Sequence, residues 1–329
     1  MMLRRTTRAP LDRDGLRAEI ARLSARRSST STDRELVRLR HQLGILELEH
    51  AAEAPPFPEP ADLPDADGLP EFGPGEITPA ILRAAILRDG CALVRGLVPR
   101  DAALELAAGV DRAFADRAKA TAGGDPSRRV GLYDEFVPDA RYPEVDVRPW
   151  IAQGGGVLAG DAPRLARQLF AMLEAAGLPR LVEGYLGEPP LVTLEKTTLR
   201  KADPSVAGAW HQDGRFMGPV RALNLWLSLS RCGDTAPGLD IVPRRLEQLV
   251  AAGGDGTFLD YQVTDATAAE AAAPKAVERP VFEPGDALLF DELFLHQTGS
   301  DPAMPNPRFA VESWFFGASA FPDYRAIAV

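Results

Sequence analysis

The spacing of apolar residues predicts a helical first part of the chain. Residues 11–27 carry leucine and isoleucine at intervals of three and four, which is the period of an amphipathic helix. A serine- and threonine-rich run at residues 28–32 interrupts this pattern, and Thr32 with Glu35 forms a capping box, so we expect a second helix to begin at Thr32. Its leucines recur over about two heptads. That pattern fits a helical hairpin, a contact within a homodimer, or packing on the chain's own domain.

A proline-rich segment separates these helices from the rest of the chain. Residues 54–75 hold seven prolines and five acidic residues, a composition typical of a linker or an extended strap. We therefore predict an N-terminal helical extension over residues 1–52, an acidic linker over residues 53–76 and a main domain over residues 77–329.

The main domain begins with helical patterns. Thr78 supplies a helix cap and Pro79 a favourable first helical residue. Residues 121–161 show no regular period and predict a long loop, which inside a domain is usually functional or disordered. The predicted elements of this part are helices over residues 78–88, 101–120 and 162–176 and a short strand over residues 91–96.

Short apolar runs separated by glycine, proline and aspartate follow after Pro190, and they predict strands. About eight such strands indicate a sandwich or barrel with the earlier helices packed on its outside. The fold class predicted is therefore mainly β with flanking helices. Residues 251–278, rich in alanine, predict an inserted loop with one helical turn. The predicted strands are 191–200, 206–212, 222–230, 238–243, 279–283, 286–291, 294–298 and 308–316.

Composition and charge exclude several classes of protein. The net charge of −10 and the pI of about 5.1 argue against nucleic acid as a partner. Two cysteines are too few for a disulfide framework or a cysteine-rich zinc site, and they favour a cytoplasmic location. We expect no secretory signal and no membrane partner, because no apolar run reaches the length of a membrane span.

Four histidines limit where histidine chemistry can occur. His41 and His50 lie in the N-terminal segment, which leaves only His211 and His296 for the main domain. If the segment around His211 is extended, His211 and Asp213 share one face because side chains alternate along a strand. Two such side chains suit a divalent metal that receives a third ligand from elsewhere, although an ordinary polar turn also explains the pair.

His296 is the candidate third ligand, since it ends an apolar run that the pattern predicts to be a strand. Two histidines and one carboxylate on one face of a metal form the arrangement that non-haem Fe(II) oxygenases prefer. Arg308 begins the next apolar strand, and its planar, permanently charged guanidinium suits the capture of a carboxylate.

The order of these motifs resembles the phytanoyl-CoA dioxygenase family, whose members are Fe(II)- and 2-oxoglutarate-dependent oxygenases with a double-stranded β-helix core. The resemblance covers residues 77–318. It rests on Trp-His-Gln-Asp, Leu-Asn-Leu-Trp-Leu-Ser-Leu, Gly-Leu-Asp-Ile-Val-Pro, Pro-Gly-Asp-Ala-Leu-Leu-Phe and His-Gln-Thr-Gly with a following arginine. The set in this order is far more specific than any one motif.

The resemblance implies a site residue by residue. His211, Asp213 and His296 would bind Fe(II), and they are also the catalytic residues expected. Arg308 would hold the distal carboxylate of 2-oxoglutarate, with Thr298 beside it. The tryptophan of the second motif and the glutamine of the first are further cofactor-pocket candidates, although the tryptophan fits a core position equally well. These two residues are Trp226 and Gln212.

The implied reaction is the oxidation of an unactivated C–H bond of a small molecule with O₂, foremost by hydroxylation, with release of succinate and CO₂. Desaturation and ring formation are further outcomes of the same chemistry. The aspartate in the metal triad argues against halogenation, because related iron halogenases have glycine or alanine there. The arginine-rich, lysine-poor composition is compatible with a substrate from secondary metabolism.

The chain departs from the family in places that concern the substrate. Pro243-Arg244-Arg245 stands where the family usually has Pro-Gly-Ser-His, and Glu195-Lys196 lies where it often has glutamine. We interpret Glu195 and Lys196 as substrate contacts or as an outward ion pair, and Lys201 as a solvated lysine. The loops 121–161, 214–220 and 251–278 are expected to shape the substrate site. Their candidate residues are Arg128, Arg129, Tyr133, Arg215, Phe216 and Met217.

Two other hypotheses remain beside the oxygenase. The first is a non-catalytic member of the fold that binds a metal or a small ligand as a sensor or scaffold. The second is a cupin-like metalloenzyme that needs no 2-oxoglutarate, although cupins tend to have more histidine ligands than this chain offers.

Overall fold

A large mixed sheet and a small antiparallel sheet form the centre of the protein. In this computed structural model, the described residues are 11–64, 68–122, 128–142, 145–206, 208–218, 220–254 and 257–329. The helices are α1 Arg13–Ser24, α2 Thr30–Glu49, α3 Pro79–Asp89, α4 Arg100–Ala122, α5 Arg148–Gln153, α6 Pro163–Ala175, α7 Leu178–Leu186, α8 Gly214–Met217 and α9 Asp265–Ala272.

Fourteen strands are described. They are β1 Glu71–Phe72, β2 Cys91–Val94, β3 Arg129–Val130, β4 Tyr133–Asp134, β5 Gly156–Leu158, β6 Leu191–Thr193, β7 Thr198–Ala202, β8 His211–Gln212, β9 Ala222–Ser228, β10 Gly238–Ile241, β11 Ala287–Phe290, β12 Leu295–Gly299, β13 Arg308–Phe316 and β14 Ala326–Ala328.

The large sheet has the strand order β1-β2-β11-β9-β13-β6-β14, and β7 joins it by pairing with both β13 and β5. The small sheet has the order β10-β12-β8, and β3 and β4 form a separate hairpin. Strand β13 is the longest and pairs along its length with β9, so the residues of these two strands face the same neighbours in fixed register. This arrangement confirms the predicted β core with flanking helices.

The main apolar core lies between the large sheet and the helices α3, α4, α6 and α7. Fully buried side chains from both layers, among them Leu106, Leu169 and Leu225, belong to one cluster. A second cluster lies on the other side of the large sheet and includes Trp226 and Phe290. The sheet is therefore buried on both faces, and its strands read as nearly continuous apolar runs.

The N-terminal helices pack on the chain's own domain. Leucines of α1 and α2 are buried against β6 and β14, and the ring nitrogen Nδ1 of His41 donates a hydrogen bond of 2.8 Å to the Ala326 carbonyl. A Cβ atom at Gly44 would lie 2.8 Å from the same carbonyl, so glycine allows this close approach. The homodimer stays a prediction, since a single chain does not test it.

The start of α2 corrects the predicted capping box. Ser29, not Thr32, is the N-cap residue, and its hydroxyl accepts a hydrogen bond from the Thr32 backbone N–H. Serine and threonine can both cap a helix, because each hydroxyl can accept a hydrogen bond from a backbone N–H. Since Ser29 is the cap, the helix is three residues longer than predicted.

The proline-rich segment contacts the main domain in its described parts. Strand β1 pairs in parallel with β2, and the Phe57 ring lies 5.2 Å from the Tyr185 ring. Apolar side chains between the prolines explain these contacts, because each gains by burial on the domain surface.

Several strand and loop predictions need correction. The run 191–200 is two strands, because the backbone N–H and hydroxyl of Thr197 both bond to the Thr193 carbonyl and turn the chain. Residues 279–283 form only isolated bridges. The segment 121–161 is not an irregular loop in its described parts, since it contains β3, β4, α5 and β5. Helix α7 was not predicted.

The insertion 251–278 holds more structure than the single helical turn expected. Helix α9 has eight residues and is capped by Thr264. Its alanines pack in a cluster with Trp210, and the indole N–H of Trp210 donates to Asp265 at 2.9 Å. The insertion is thereby attached next to the residue that precedes His211.

Candidate active site

The two histidines of the main domain lie side by side on the small sheet. His211 on β8 is the register partner of His296 on β12, and their ring centroids are 4.5 Å apart. Nδ1 of His211 bonds to the Ala209 carbonyl at 2.7 Å, and Nδ1 of His296 bonds to the Phe294 carbonyl at 3.1 Å. A carbonyl can only accept, so Nδ1 is the protonated nitrogen in both rings. Each Nε2 is therefore left with a lone pair, as a metal ligand requires.

Asp213 completes the group. Its Oδ2 accepts hydrogen bonds from the Asn224 amide at 2.6 Å and from the Trp314 indole N–H at 3.1 Å. Its Oδ1 lies 3.6 Å from Nε2 of His211. One ligand atom from each of His211, Asp213 and His296 lies within 4.8 Å of the others. The two donors orient the carboxylate and leave its second oxygen facing the histidines.

Burial favours the neutral imidazole that metal binding needs. Loss of water around the ring, with a second contribution from the nearby His296, lowers the pKa of His211 to about 4. The ring therefore stays unprotonated at neutral pH, and no proton has to leave it before a metal binds.

A cavity of about 200 Å³ opens above the triad, and both sheets line it. The small sheet contributes the histidines, and the large sheet contributes charged and aromatic side chains. Its lining includes Trp150, Lys196, Arg200, His211, Asp213, Phe216, Asn224, Trp226, Tyr261, His296, Thr298, Arg308, Glu312 and Trp314.

Arg308 is a buried cation that forms no ion pair among the described residues. Its Nη1 donates to the Gly238 carbonyl at 2.9 Å, while its buried Nε has no hydrogen-bond partner among the described residues. Its guanidinium lies 5.5 Å from the Trp226 ring, whose indole N–H also lacks a partner in the described part of the chain. Thr298 lines the same cavity. These unmatched donors are suited to an anionic ligand.

Arg200 and Glu312 form an ion pair on the wall between Arg308 and Lys196. The Arg200 Nε donates to Glu312 at 2.8 Å. Burial alone would raise the pKa of Glu312, but the charges of Arg200 and Arg308 outweigh it and lower the pKa to about 2. Glu312 is therefore ionised at neutral pH.

Lys196 projects into the cavity among three aromatic rings. Its Nζ lies 4.2 Å from the Trp150 ring, 4.6 Å from the Trp314 ring and 5.2 Å from the Phe216 ring. Burial lowers the pKa of Lys196 to about 8. Glu195 points elsewhere and pairs with Arg325 at 2.6 Å. The two residues do not form the outward ion pair that the sequence allowed.

The remaining predicted residues divide into those near the cavity and those away from it. Phe216 lines it, whereas Arg215 donates to the Val250 carbonyl and Met217 packs in an apolar cluster beneath. The Gln212 side chain points to the opposite side of β8, where it bonds to the backbone of Leu293 and Val250. Gln212 thus ties two loops together rather than facing the cavity.

The arginines expected to contact substrate from the loop 121–161 lie on the β3–β4 hairpin and are not among the cavity-lining residues. Arg128 pairs with Glu135 at 3.0 Å, and Arg129 pairs with Asp134 at 3.1 Å. Tyr133 is buried in the same hairpin. Lys201 pairs with Asp111 at 2.5 Å outside the cavity.

Sequence reasoning missed several lining residues that strand periodicity identifies. Glu312 and Trp314 are separated by even numbers of positions from the predicted Arg308 along β13, so they share its face. Asn224 is related in the same way to the predicted Trp226 on β9. Trp150 and Tyr261 lie outside the strands, and no pattern in the sequence brings them to the cavity.

Comparison with known proteins supports the fold. No family model and no curated protein matches the chain. EctD from S. alaskensis with 2-oxoglutarate and 5-hydroxyectoine is similar in structure, with a TM-score of 0.52 and 20% identity over 75% of this chain and 79% of that one. AviO1 from Streptomyces viridochromogenes Tue57 has a TM-score of 0.47 and 22% identity, over 74% of this chain and 96% of that one.

SnoN, a non-haem alpha-ketoglutarate-dependent epimerase from nogalamycin biosynthesis, has a TM-score of 0.46 and 17% identity over 71% of this chain and 81% of that one. The similarity to EctD shows a shared fold, so the predicted resemblance is confirmed at the level of fold. The chain has a double-stranded β-helix, or jelly-roll, core with an N-terminal helical extension.

Proposed function

We propose that the protein is an Fe(II)- and 2-oxoglutarate-dependent oxygenase that hydroxylates a C–H bond of a small molecule. One observation carries this proposal. Two histidines and one aspartate with free ligand atoms share a cavity with a buried arginine that has an unused donor. The two histidines and the aspartate suit iron, and the arginine suits the far end of a dicarboxylate whose other end binds the metal.

The donor set fits Fe(II). His211 and His296 would bind through Nε2 and Asp213 through Oδ1, because the other polar atom of each side chain already has a hydrogen-bond partner. Three ligands on one side of a metal leave positions for a bidentate cosubstrate and for O₂.

The basic end of the cavity fits the distal carboxylate of 2-oxoglutarate. Arg308 would supply a charge-assisted donor, and Thr298, on the neighbouring small sheet, a hydroxyl. The indole N–H of Trp226 is a further unmatched donor at this end. EctD, which shares this fold, is known in a structure with 2-oxoglutarate and a hydroxylated small molecule, and this agrees with the proposal.

When bound, the iron and 2-oxoglutarate supply the oxidising power, as the cosubstrate and O₂ give succinate and CO₂. The chain's own residues contribute position and environment. Asn224 and Trp314 hold the Asp213 carboxylate in one orientation. The Tyr261 and Phe216 rings, 4.9 Å apart, both contact the His211 ring and cover one side of it at the cavity.

We also propose a substrate class and a cellular location for the enzyme. The substrate is proposed to be a small molecule of secondary metabolism. Cys91 and Cys232 are free and buried, which agrees with work in a reducing compartment such as the cytoplasm. Among the described helices, none combines the length and the hydropathy needed to span a bilayer.

Succinate release tests the proposal. Purified protein with Fe(II), 2-oxoglutarate and O₂ is expected to form succinate slowly without substrate and faster with one. Asp213→Ala should lose this activity, and Asp203→Ala, which replaces an exposed aspartate after β7, should keep it. A protein that binds iron and 2-oxoglutarate without turnover would be a sensor. Turnover that is independent of 2-oxoglutarate and Arg308 would indicate a cupin-like metalloenzyme.

A further inference from the structure

Lys196 is a cavity-facing cation without an anionic contact. Among the described residues, its Nζ forms no hydrogen bond and no ion pair, and its contacts are with three aromatic rings. The three aromatic rings around it favour the charged form and direct it into the cavity. Ring faces offer no oxygen or nitrogen acceptor, however, so the three N–H donors of the ammonium lack hydrogen-bond partners in the described part of the chain.

Asp213 and Glu312 are close enough to raise the pKa of Lys196, against the larger effect of burial, but each of these carboxylates has another partner. Arg200 and Glu312 neutralise each other within the ion pair. If the proposed function holds, Arg308 is neutralised by the distal carboxylate of 2-oxoglutarate. The two positive charges of iron are neutralised by Asp213 and the other carboxylate. One positive charge remains in the loaded cavity, and it belongs to Lys196.

We propose that Lys196 binds a carboxylate of the primary substrate, which is therefore a small organic acid. This inference rests on the proposed function and narrows its substrate class. The rest of the substrate would lie among Trp150, Phe216 and Tyr261, whose rings line the cavity beside the triad. Those surroundings suit an apolar or aromatic body. Lys196 is a specificity-determining residue in this reading.

Matched acids and amides test the inference directly. The probes are 3-phenylpropionate, indole-3-acetate and hexanoate, each compared with its neutral primary amide. Binding is measured by calorimetry without oxygen, on protein loaded with Fe(II) and saturated with 2-oxoglutarate, so that Arg308 is already occupied. At least one acid is expected to bind, and its amide should bind about tenfold more weakly or worse, as for loss of a charge-assisted hydrogen bond.

Variants assign the effect to one side chain. Lys196→Met keeps the aliphatic stem and removes the charge, and it should weaken acid binding about tenfold or more while leaving amide binding unchanged. Lys196→Arg should retain the preference for acids. Lys201→Met is the matched control, because Lys201 pairs with Asp111 outside the cavity, and it should bind acids as the wild type does. Melting temperatures establish that each variant is folded.

Four results would overturn the inference. In the wild type, these are equal affinities for acids and amides, or no binding of any acid. In Lys196→Met, they are an acid affinity equal to that of the wild type, or a loss of 2-oxoglutarate affinity that is larger than the loss of acid affinity. The last result would assign Lys196 to the cosubstrate. Failure of the proposed function can be distinguished from failure of this inference, because the wild type would then not bind 2-oxoglutarate at all. In that case the acid and amide pairs, applied to metal-free protein, still report on Lys196.

Discussion

The two walls of the cavity differ in how completely their polar atoms are satisfied. On the small-sheet wall, each Nδ1 atom of the paired histidines has a backbone acceptor. On the large-sheet wall, Arg308 Nε and Trp226 Nε1 lack partners among the described residues, and the Lys196 ammonium faces only rings. The first wall is already arranged for a metal. The second has donors that only ligands can satisfy.

This difference has a physical reason. A metal tolerates little error in ligand position, so its ligands gain from hydrogen bonds that fix them before binding. A buried donor without a partner costs stability in the free protein. Such donors are consistent with a site that recovers this cost when an anion binds.

Loss of a ligand on the metal side should have the largest effect. Asp213→Ala removes the one anionic ligand atom of the triad, and we expect iron affinity and succinate formation to fall more than about 100-fold. Iron content after anaerobic reconstitution and succinate release measure the two effects. Asp240→Asn is a control on the small sheet, where Asp240 pairs with Arg279 outside the cavity. Iron binding that survives Asp213→Ala would contradict the assignment.

Loss of the arginine on the opposite wall should affect the cosubstrate and spare the metal. Arg308→Met is expected to raise KM for 2-oxoglutarate about 30-fold or more, as for truncation of one partner of a buried charge pair. Iron affinity should stay within about twofold of wild type. Arg308→Lys keeps the charge but loses the planar fork, so an intermediate KM is expected. Equal KM values in all three proteins would remove Arg308 from the cosubstrate site.

The residues that orient Asp213 should show a graded effect. Asn224→Ala removes the shorter of its two hydrogen bonds and should lower iron affinity about 10-fold. Trp314→Phe removes the longer bond and should lower it less. Competition with a metal chelator measures both affinities. If neither substitution changes iron affinity, these two residues of the large sheet do not hold Asp213 in advance as we describe.

Gln212 should show the smallest effect on activity. Its side chain holds the Leu293 and Val250 backbone on the side away from the cavity. Gln212→Ala should therefore lower the free energy of unfolding by about 1–3 kcal/mol, since it leaves buried backbone groups unpaired. Denaturant unfolding measures this loss, and KM for 2-oxoglutarate should change less than about threefold. A large rise in KM with unchanged stability would place Gln212 at the cosubstrate instead.

The sequence signals that singled out His211, Asp213 and His296, which the structure brings together, are local or scarce. Strand alternation predicted the pair His211 and Asp213, although Asp213 lies in the turn after β8 with helical backbone angles rather than in the strand. The small number of histidines predicted His296. Strand β13 matches its predicted range because it follows a loop with three prolines and is rich in apolar and aromatic residues. Arg308, the first residue of this strand, lines the cavity as the sequence led us to expect.

The substrate residues were harder to predict, because loop contacts depend on tertiary packing. Arg128 and Arg129 lie in a loop that the sequence marks as functional, yet acidic partners within the same hairpin pair with them. Trp150 and Tyr261 are far apart in sequence and meet the cavity only because α5 and the 251–278 insertion pack beside it. The two-turn helix α9 was underestimated because an alanine-rich pattern carries no clear apolar face.

Anaerobic titration of 2-oxoglutarate into the wild-type protein tests whether the metal ligands and Arg308 together bind one cosubstrate molecule. With Fe(II) present, we expect one molecule to bind per chain, and removal of the iron with a chelator should weaken binding about tenfold or more. Both walls are then needed for one ligand. Failure of 2-oxoglutarate to bind the iron-loaded protein, or equal affinity with and without iron, would contradict the account.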